Sequence, residues 1–274
     1  MNATAVLEQF ALNGKVAVVT GGFGKLGSVW SRALLEAGAK VALLDKPEIP
    51  PSGEALTLQQ RFGEERLRFY QADVTDRATL ETACQLIEEQ LGLVDVLVNN
   101  AGIDQPPAKV QNDRLQDIPF ETFTTVMDVN TAGSFLCMQV FGSSMLKHAS
   151  GSIINIGSLY ASVSPDVRFY DHIETDPPFI KPPAYGASKA ALVNLSRYFA
   201  THWAPQGIRV NVLSPGGVEG NQDAAFKAKF QHRVPMGKMA QLDDLVGPLV
   251  FLASGASRYV TGTELIVDGG FTAW

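Results

Sequence analysis

Three residues have the types and spacing that point most directly to chemistry: Tyr185, Lys189 and Ser158. Tyr185 and Lys189 lie four residues apart in a segment with helical periodicity, so their side chains share one face of a helix. A nearby ammonium favours the phenolate and brings the pKa of a phenol toward the working pH. Tyr185 could then exchange a proton with a hydroxyl or carbonyl oxygen, while Ser158, at the end of a predicted strand, hydrogen-bonds the same oxygen.

Other reactive side chains lack partners at a useful spacing. Tyr160 and Tyr170 are not followed by a lysine four residues later. No pattern typical of a Ser/His/Asp site includes the four histidines, which are His148, His172, His202 and His232. No CxxC or HExxH pattern predicts a metal, and the two cysteines lie in apolar contexts typical of reduced core residues. The tyrosine–lysine pair could itself be an exposed helical face, so it needs support from the rest of the chain.

A glycine cluster between an apolar run and a helical pattern supplies part of that support. A helix N-terminus that follows a glycine turn presents free N–H groups and a partial positive charge to a pyrophosphate. The spacing of Gly21, Gly24 and Gly27 predicts such a turn, with Gly22 assisting it. The predicted cofactor contacts in this loop also include Leu26 and Lys25. Lys25 could lie near the phosphates, or it could be a solvated lysine that points away from them.

Asp45 ends the second predicted strand, 24 residues after Gly21. A carboxylate at this place can accept hydrogen bonds from a ribose diol and repels a 2′-phosphate. The glycine loop and Asp45 together predict a nucleotide site that binds NAD, with NADP the less favoured cofactor.

The elements that must position these residues alternate regularly between strand and helix. Short β-branched runs predict strands at 15–20, 40–45, 67–73, 94–102, 151–158, 208–216 and 262–270. Apolar residues at helical spacing predict helices at 26–39, 54–63, 76–92, 121–148, 184–204 and 242–254. This alternation predicts an α/β fold, a Rossmann-like doubly wound parallel sheet in a single domain over residues 1–274.

Composition and charge exclude several classes of function. The 274 residues are 46% hydrophobic, and 22 basic against 28 acidic side chains give a formal net charge of −6. This mild acidity, with no basic run, argues against nucleic-acid binding. No apolar window of about 18 residues predicts a membrane span. The N-terminal stretch lacks the basic and apolar regions of a signal peptide, so we expect a cytoplasmic protein.

The chain resembles the short-chain dehydrogenase/reductase family along nearly its whole length. The motifs that carry the resemblance are TGGFGKLG (20–27), DVTD (73–76), NNAG (99–102), VN (129–130), IGS (156–158), YGASK (185–189), SPGG (214–217) and the ending VTGTELIVDGG. Two features depart from the pattern of single-domain members. The glycine spacing is TGxxGxxG, whereas TGxxxGxG would place a glycine at 25. The catalytic serine and tyrosine, Ser158 and Tyr185, lie 27 residues apart, much farther than in most members.

The resemblance implies roles for individual residues. It implies that Lys189 also holds the nicotinamide ribose and that Asn130 helps to order a water leading to this lysine. Asp73 and Val74 would contact the adenine, and the 99–102 segment would pass under the adenosine ribose through Asn99 or Asn100, with Ala101 and Gly102. Pro215, Gly216 and Val218 would meet the carboxamide, although Gly220 stands where many members have threonine. Assembly into a homotetramer or dimer is also implied.

The extra residues between the catalytic serine and tyrosine form an insertion at about 159–184. Both of its ends are fixed at the catalytic oxygen's position, so we expect it to border the substrate entrance. Its polar composition favours a small polar substrate, and Arg168 or His172 is predicted to contact the substrate's polar end. The resemblance implies an NAD-dependent oxidoreductase acting on a CH–OH group of a sugar, sugar acid or polyol. A 3-oxoacyl or small-ketone reductase and a non-catalytic nucleotide-binding regulator remain alternatives.

Overall fold

The fold is built on seven parallel strands, as seen in a computed structural model that describes residues 3–104 and 113–274. The strands are β1 Val16–Thr20, β2 Lys40–Asp45, β3 Leu67–Gln71, β4 Val96–Asn99, β5 Gly151–Ile156, β6 Ile208–Pro215 and β7 Glu264–Val267. Their order in the sheet is β3-β2-β1-β4-β5-β6-β7. The order reverses between β1 and β4, which is where α/β sheets of this kind bind ligands. The predicted Rossmann-like, doubly wound single domain is confirmed.

Helices cover both faces of the sheet. They are α1 Ala3–Leu7, α2 Lys25–Glu36, α3 Gly53–Phe62, α4 Arg77–Gln90, α5 Phe120–Met127, α6 Ser134–Leu146, α7 Pro183–Trp203, α8 Ala224–Arg233 and α9 Val246–Ala253. The predicted long helix at 121–148 is broken, because a π-helical turn over Asp128–Gly133 separates α5 from α6. Helix α8 was not predicted, although Asp223 caps its first turn by accepting a hydrogen bond from the backbone of Phe226.

Two apolar layers, one on each side of the sheet, form most of the core. Strands β1, β2, β4, β5 and β6 are buried along almost their whole length, as expected where helices cover both faces. Trp30 of α2 lies in one layer and Phe141 of α6 in the other. Both cysteines are unpaired and buried, and burial raises the pKa of Cys84 to about 11. Among the described residues, no helix is both long and apolar enough to span a membrane.

A third apolar cluster joins the 159–184 segment to the C-terminal part of the chain. Phe169 contacts the rings of Phe226, Phe230 and Phe271 at centroid distances of 6.0, 5.6 and 6.2 Å. Tyr170 adds ring contacts with Phe179 and Phe226. These contacts fix the middle of the segment against α8. The middle of the segment is therefore packed against the rest of the domain and is not a solvated surface loop.

Replacing Phe169 with alanine tests how much its buried ring contributes to the stability of the protein. Phe169→Ala should lower the free energy of unfolding by about 3–5 kcal/mol, because it removes a buried ring from a packed cluster. Val167→Ala, at a side chain that is 63% exposed, should stay within about 0.5 kcal/mol. Urea unfolding of both variants measures the difference. Equal stabilities would contradict the anchoring role.

Candidate active site

The loop after β1 is tied directly to the end of β4. The Thr20 hydroxyl accepts hydrogen bonds from the backbone N–H groups of Asn100 and Ala101, at 3.1 and 3.0 Å. The Asn100 amide donates to the carbonyls of Thr20 and Gly21, both at 3.0 Å, and its oxygen accepts from Trp30 Nε1 at 2.8 Å. The glycine loop therefore has a fixed position relative to β4 and α2.

The glycines of this loop meet different constraints. Gly21 has φ +60°, and a Cβ there would lie 2.8 Å from the Ala101 Cα. A Cβ at Gly27 would lie 2.5 Å from the Gly21 carbonyl oxygen, so helix α2 could not pack so closely on the loop. A Cβ at Gly24 would meet nothing closer than 3.4 Å, whereas one at Gly22 would lie 2.7 Å from Leu43 Cδ2. Gly22 therefore meets a packing constraint that the sequence did not indicate, because the side chain of Leu43 in β2 occupies the space beside it.

Lys25 begins helix α2 and reaches across to the loop after β6. Its Nζ donates to the Glu219 carbonyl at 2.7 Å, and a Cβ at Gly220 would lie 3.1 Å from this nitrogen. Lys25 is exposed and its side chain is directed to the loop after β6, so a contact with the phosphates stays a prediction. Its neighbour Leu26 lines the large cleft described below.

Acidic side chains gather at the carboxyl ends of β2 and β3. Asp45 Oδ2 accepts from the backbone N–H of Phe23 at 3.0 Å, which places this carboxylate against the glycine loop. Asp73 Oδ1 accepts from the N–H and hydroxyl of Thr75, and its other oxygen lies 3.3 Å from Lys46 Nζ. Burial raises the pKa of Asp73, but these hydrogen bonds outweigh burial and lower it overall. Glu48 also pairs with Lys46, at 3.0 Å.

A cleft of about 800 Å³ opens at the carboxyl ends of the central strands. It brings together Ser158, which follows β5, and Tyr185 and Lys189 on α7. The predicted residues Leu26, Asn100, Gly102, Pro215, Gly216 and Val218 line the same cleft. The structure thus collects in one place residues that the sequence scatters over nearly two hundred positions.

Lys189 is buried, and Tyr185 is partly buried. Lys189 Nζ donates to the Ile156 carbonyl at 2.7 Å and lies 5.7 Å from the centre of the Tyr185 ring. Burial lowers the pKa of Lys189 to about 8, although the charge of Asp104 opposes this. Burial raises the pKa of Tyr185 to about 12, Asp104 adds to this, and a hydrogen bond with Ser158 acts against both. In the protein without a ligand, burial outweighs any lowering of this pKa by Lys189, so the expected lowering stays a prediction for the complex.

Asn130 lies on the π-helical turn between α5 and α6 and is fully buried. Its Oδ1 accepts from the Ile103 N–H at 2.8 Å, and its Nδ2 donates to the Ile103 carbonyl and the Ser188 hydroxyl. A Cβ at Gly102 would lie 3.1 Å from Asn130 Oδ1 and 3.6 Å from Lys189 Nζ. Asn130 therefore joins the loop after β4 to the helix that carries the tyrosine and the lysine.

Two of the residues predicted to contact the adenosine, Asn99 and Val74, have side chains buried in the protein interior. Asn99 is buried and donates to Asn155 Oδ1 of the neighbouring strand at 2.7 Å, so its side chain is directed away from the cleft. Val74 is buried in the core layer of α4 and α6, and its Cγ2 would lie 2.8 Å from a Cβ at Gly133. For these two positions, only the backbone is placed to contact a nucleotide.

The structure does not bring Arg168 into the cleft. This side chain is 80% exposed and pairs with Asp166, with Nη2 to Oδ2 at 2.6 Å. His172 lies behind the cleft rather than in its lining, with Nε2 2.9 Å from Asp223 Oδ1. The structure therefore does not support the predicted contact of Arg168 with substrate, because this side chain lies outside the cleft while its neighbour Phe169 is buried. Lys181, which the sequence argument passed over, lines the cleft instead.

Comparison with known proteins agrees with this geometry. A family model described as Enoyl-(Acyl carrier protein) reductase matches residues 25–272. The chain belongs to the short-chain dehydrogenase/reductase family. It is 33% identical to a galactitol 2-dehydrogenase of Rhizobium johnstonii, over 97% of this chain and 98% of that protein. It is 32% identical to a D-arabinitol 2-dehydrogenase of Candida tropicalis, over 98% and 96%.

A solved structure is similar along the same length. The gluconate 5-dehydrogenase of Burkholderia cenocepacia, in complex with NADP and tartrate, superimposes with a TM-score of 0.83. It is 33% identical and the match covers 98% of this chain and 99% of that one. As a member of this family, the protein is an oxidoreductase that uses a nicotinamide cofactor and acts on CH–OH groups of a small-molecule substrate.

The residues present fit a dinucleotide. Side chains are excluded at Gly21 and Gly27, so backbone N–H groups at the start of α2 can approach a pyrophosphate. Asp45 lies beside the loop, where its Oδ2 accepts from the Phe23 N–H, and a carboxylate at the end of the second strand is the group that can bind a ribose diol. Gly102 leaves the space next to Lys189 free of a side chain.

Burial of Lys189 should leave a signature in the pH dependence of stability. Its folded pKa of about 8 lies below the ordinary value of 10.5, so the unfolded chain holds more protons between these pH values. The free energy of unfolding should therefore rise with pH across this window, by up to about 1.4 kcal/mol per pH unit. Denaturant unfolding of the wild type and Lys189→Met at pH 7.5 and 9.5 isolates this contribution. An identical pH dependence of the two proteins would contradict it.

Proposed function

We propose that the protein is an NAD-dependent dehydrogenase of a sugar, sugar acid or polyol, with Ser158, Tyr185 and Lys189 as catalytic residues. The observation that supports this most is the convergence of the three side chains in one cleft, next to the glycine loop. When bound, the nicotinamide ring supplies hydride chemistry. The roles of the chain's own residues follow from their positions.

Tyr185 exchanges a proton with the reacting oxygen of the substrate, and Ser158 holds that oxygen by a hydrogen bond. Lys189 provides the positive charge that favours the phenolate, and its Nζ position beside Gly102 suits a hydrogen bond to the nicotinamide ribose. Asn130 is proposed to order water beside this lysine, and its link between the Ile103 backbone and Ser188, the residue before Lys189, supports the proposal.

The preference for NAD rests on the charges at the adenosine end of the site. Asp45, Glu48 and Asp73 place three carboxylates there, against the ammonium of Lys46, which already pairs with two of them. This arrangement disfavours a 2′-phosphate. Lys25 is proposed to contact the pyrophosphate, because its Nζ lies between the start of α2 and the loop after β6.

The polar substrate class is supported by the relatives, which include galactitol and arabinitol dehydrogenases, and by hydroxyl, amide and carboxylate groups in the cleft wall. We further propose a homo-oligomer, tetramer or dimer, in the cytoplasm. The exposed Tyr198 of α7 and Ile266 of the edge strand β7 leave apolar surface that a symmetric contact would cover. Light scattering at micromolar concentration tests the assembly, and a monomer would contradict it.

Tyr185→Phe tests the proton transfer. The substitution removes the hydroxyl but keeps the ring, so kcat should fall by about 100-fold or more, while NADH binding stays unchanged. Tyr259→Phe, at a fully exposed tyrosine, is the matched control and should keep wild-type activity. Turnover followed by nicotinamide absorbance on galactitol, D-arabinitol and D-gluconate provides the measurement. A larger loss from Tyr160→Phe than from Tyr185→Phe would disprove the assignment.

Asp45→Ser tests the cofactor preference. The wild type should use NAD with a kcat/KM about 10- to 100-fold higher than NADP, because the carboxylate repels the 2′-phosphate by about 1–3 kcal/mol. Asp45→Ser should reduce this ratio, mainly by improving NADP. Arg61→Ala, at an exposed ion pair on α3, serves as the control. Equal use of both cofactors by the wild type would refute the proposed preference.

A further inference from the structure

Lys181 is a buried ammonium at the substrate side of the cleft. It lies in the 159–184 segment, just before α7, and its side chain is only 6% exposed. Its Nζ donates to both carboxylate oxygens of Asp104, at 2.7 and 2.9 Å. Lysine is rarely so buried unless it is paired. Here the partner lies in a different loop, because Asp104 follows β4 and Lys181 precedes α7. We call these two residues the Asp104–Lys181 pair.

The pair lies beside the catalytic tyrosine. Lys181 Nζ is 5.4 Å from the centre of the Tyr185 ring and 5.8 Å from that of Tyr160. Both members of the pair line the same cleft as Ser158 and Tyr185. A substrate whose reacting carbon reaches Tyr185 therefore has its neighbouring atoms within reach of the pair.

The chemistry of the pair suits neutral hydroxyl groups. Two of the three Lys181 N–H donors go to Asp104, and the part of the chain that the structure describes offers no other acceptor for the third. Asp104 is half-exposed and retains lone pairs that can accept hydrogen bonds. A diol can accept from the lysine and donate to the carboxylate at once, without breaking the pair.

A carboxylate substrate meets a less favourable environment. Lys181 is already neutralised by Asp104, and the second cleft-lining acid, Asp223, faces the site with His172 behind it. Within residues 3–104 and 113–274, the other basic side chain lining the cleft is Lys189, which is committed to the Ile156 carbonyl. An acid group would have to approach Asp104 or displace it from its lysine, and either costs free energy.

We propose that the Asp104–Lys181 pair recognises the substrate and selects neutral polyhydroxy compounds with adjacent hydroxyls over sugar acids. This inference rests on the proposed function, since it names the substrate class of the same site. It assigns the recognition role to Lys181 rather than to Arg168, whose guanidinium lies outside the cleft.

The test compares galactitol and D-arabinitol with D-gluconate as substrates for the wild type and three variants. The wild type should prefer the two polyols over D-gluconate. Lys181→Met should raise KM for the polyols by tenfold or more, and Lys181→Arg should recover part of the loss. Asp104→Asn should raise the ratio of kcat/KM for D-gluconate to that for the polyols by about tenfold, because it leaves the lysine charge uncompensated. Arg168→Ala, which removes an exposed ion pair of the same segment, is the matched control and should leave KM unchanged.

The outcomes separate this proposal from the proposed function. NADH binding, followed by nicotinamide fluorescence, should be the same in all variants and shows that each one is folded. If the wild type oxidises the polyols but Lys181→Met keeps their KM, the recognition role is overturned and the proposed function stands. A wild type that prefers D-gluconate, with a ratio insensitive to Asp104→Asn, overturns the selection of neutral substrates. A wild type that binds NADH but oxidises none of the three compounds overturns both proposals.

Discussion

The close approach of two backbone segments, at the point where the strand order reverses, is the constraint on which the site depends. The Thr20 hydroxyl accepts from two successive N–H groups after β4, and Asn100 returns two hydrogen bonds to the loop after β1. Only glycine fits at 21, because a side chain would meet the Ala101 backbone. The start of α2 and the loop after β4 are thereby held together, and the space between them is a site for a dinucleotide.

Buried hydrogen bonds connect this junction to α7, the helix that carries Tyr185 and Lys189, and so position these two residues. Asn130 connects the backbone after β4 to Ser188, and Lys189 is held by the last carbonyl of β5. Burying an ammonium in this way disfavours its charged form, which is why the pKa of Lys189 falls. Burial raises the pKa of Tyr185 for the same physical reason. In the free protein, burial therefore disfavours the charged form of both groups.

Periodicity and local motifs were enough to predict the sheet, the glycine loop and the Tyr185–Lys189 pair, because each depends on residues close together in sequence. The break in the 121–148 helix was not predicted, since a π-helical turn keeps helical apolar spacing on both sides. Helix α8 was missed although Asp223 and the spacing of Phe226 and Phe230 signal it. The role of Gly22 depends on Leu43, a residue of another strand, so no local pattern could indicate it.

In the 159–184 segment, the sequence did not predict which charged side chain lies in the cleft. Its polar residues suggested that Arg168 faces the substrate, because a guanidinium is well suited to bind an anion. The direction of a loop side chain, however, depends on which apolar neighbours are buried, and Phe169 and Phe179 join the aromatic cluster. Burying Phe169 directs Arg168 to solvent, and the path of the chain past Phe179 brings Lys181 beside Tyr185. The apolar residues of the segment thus decide which of its charges enters the cleft.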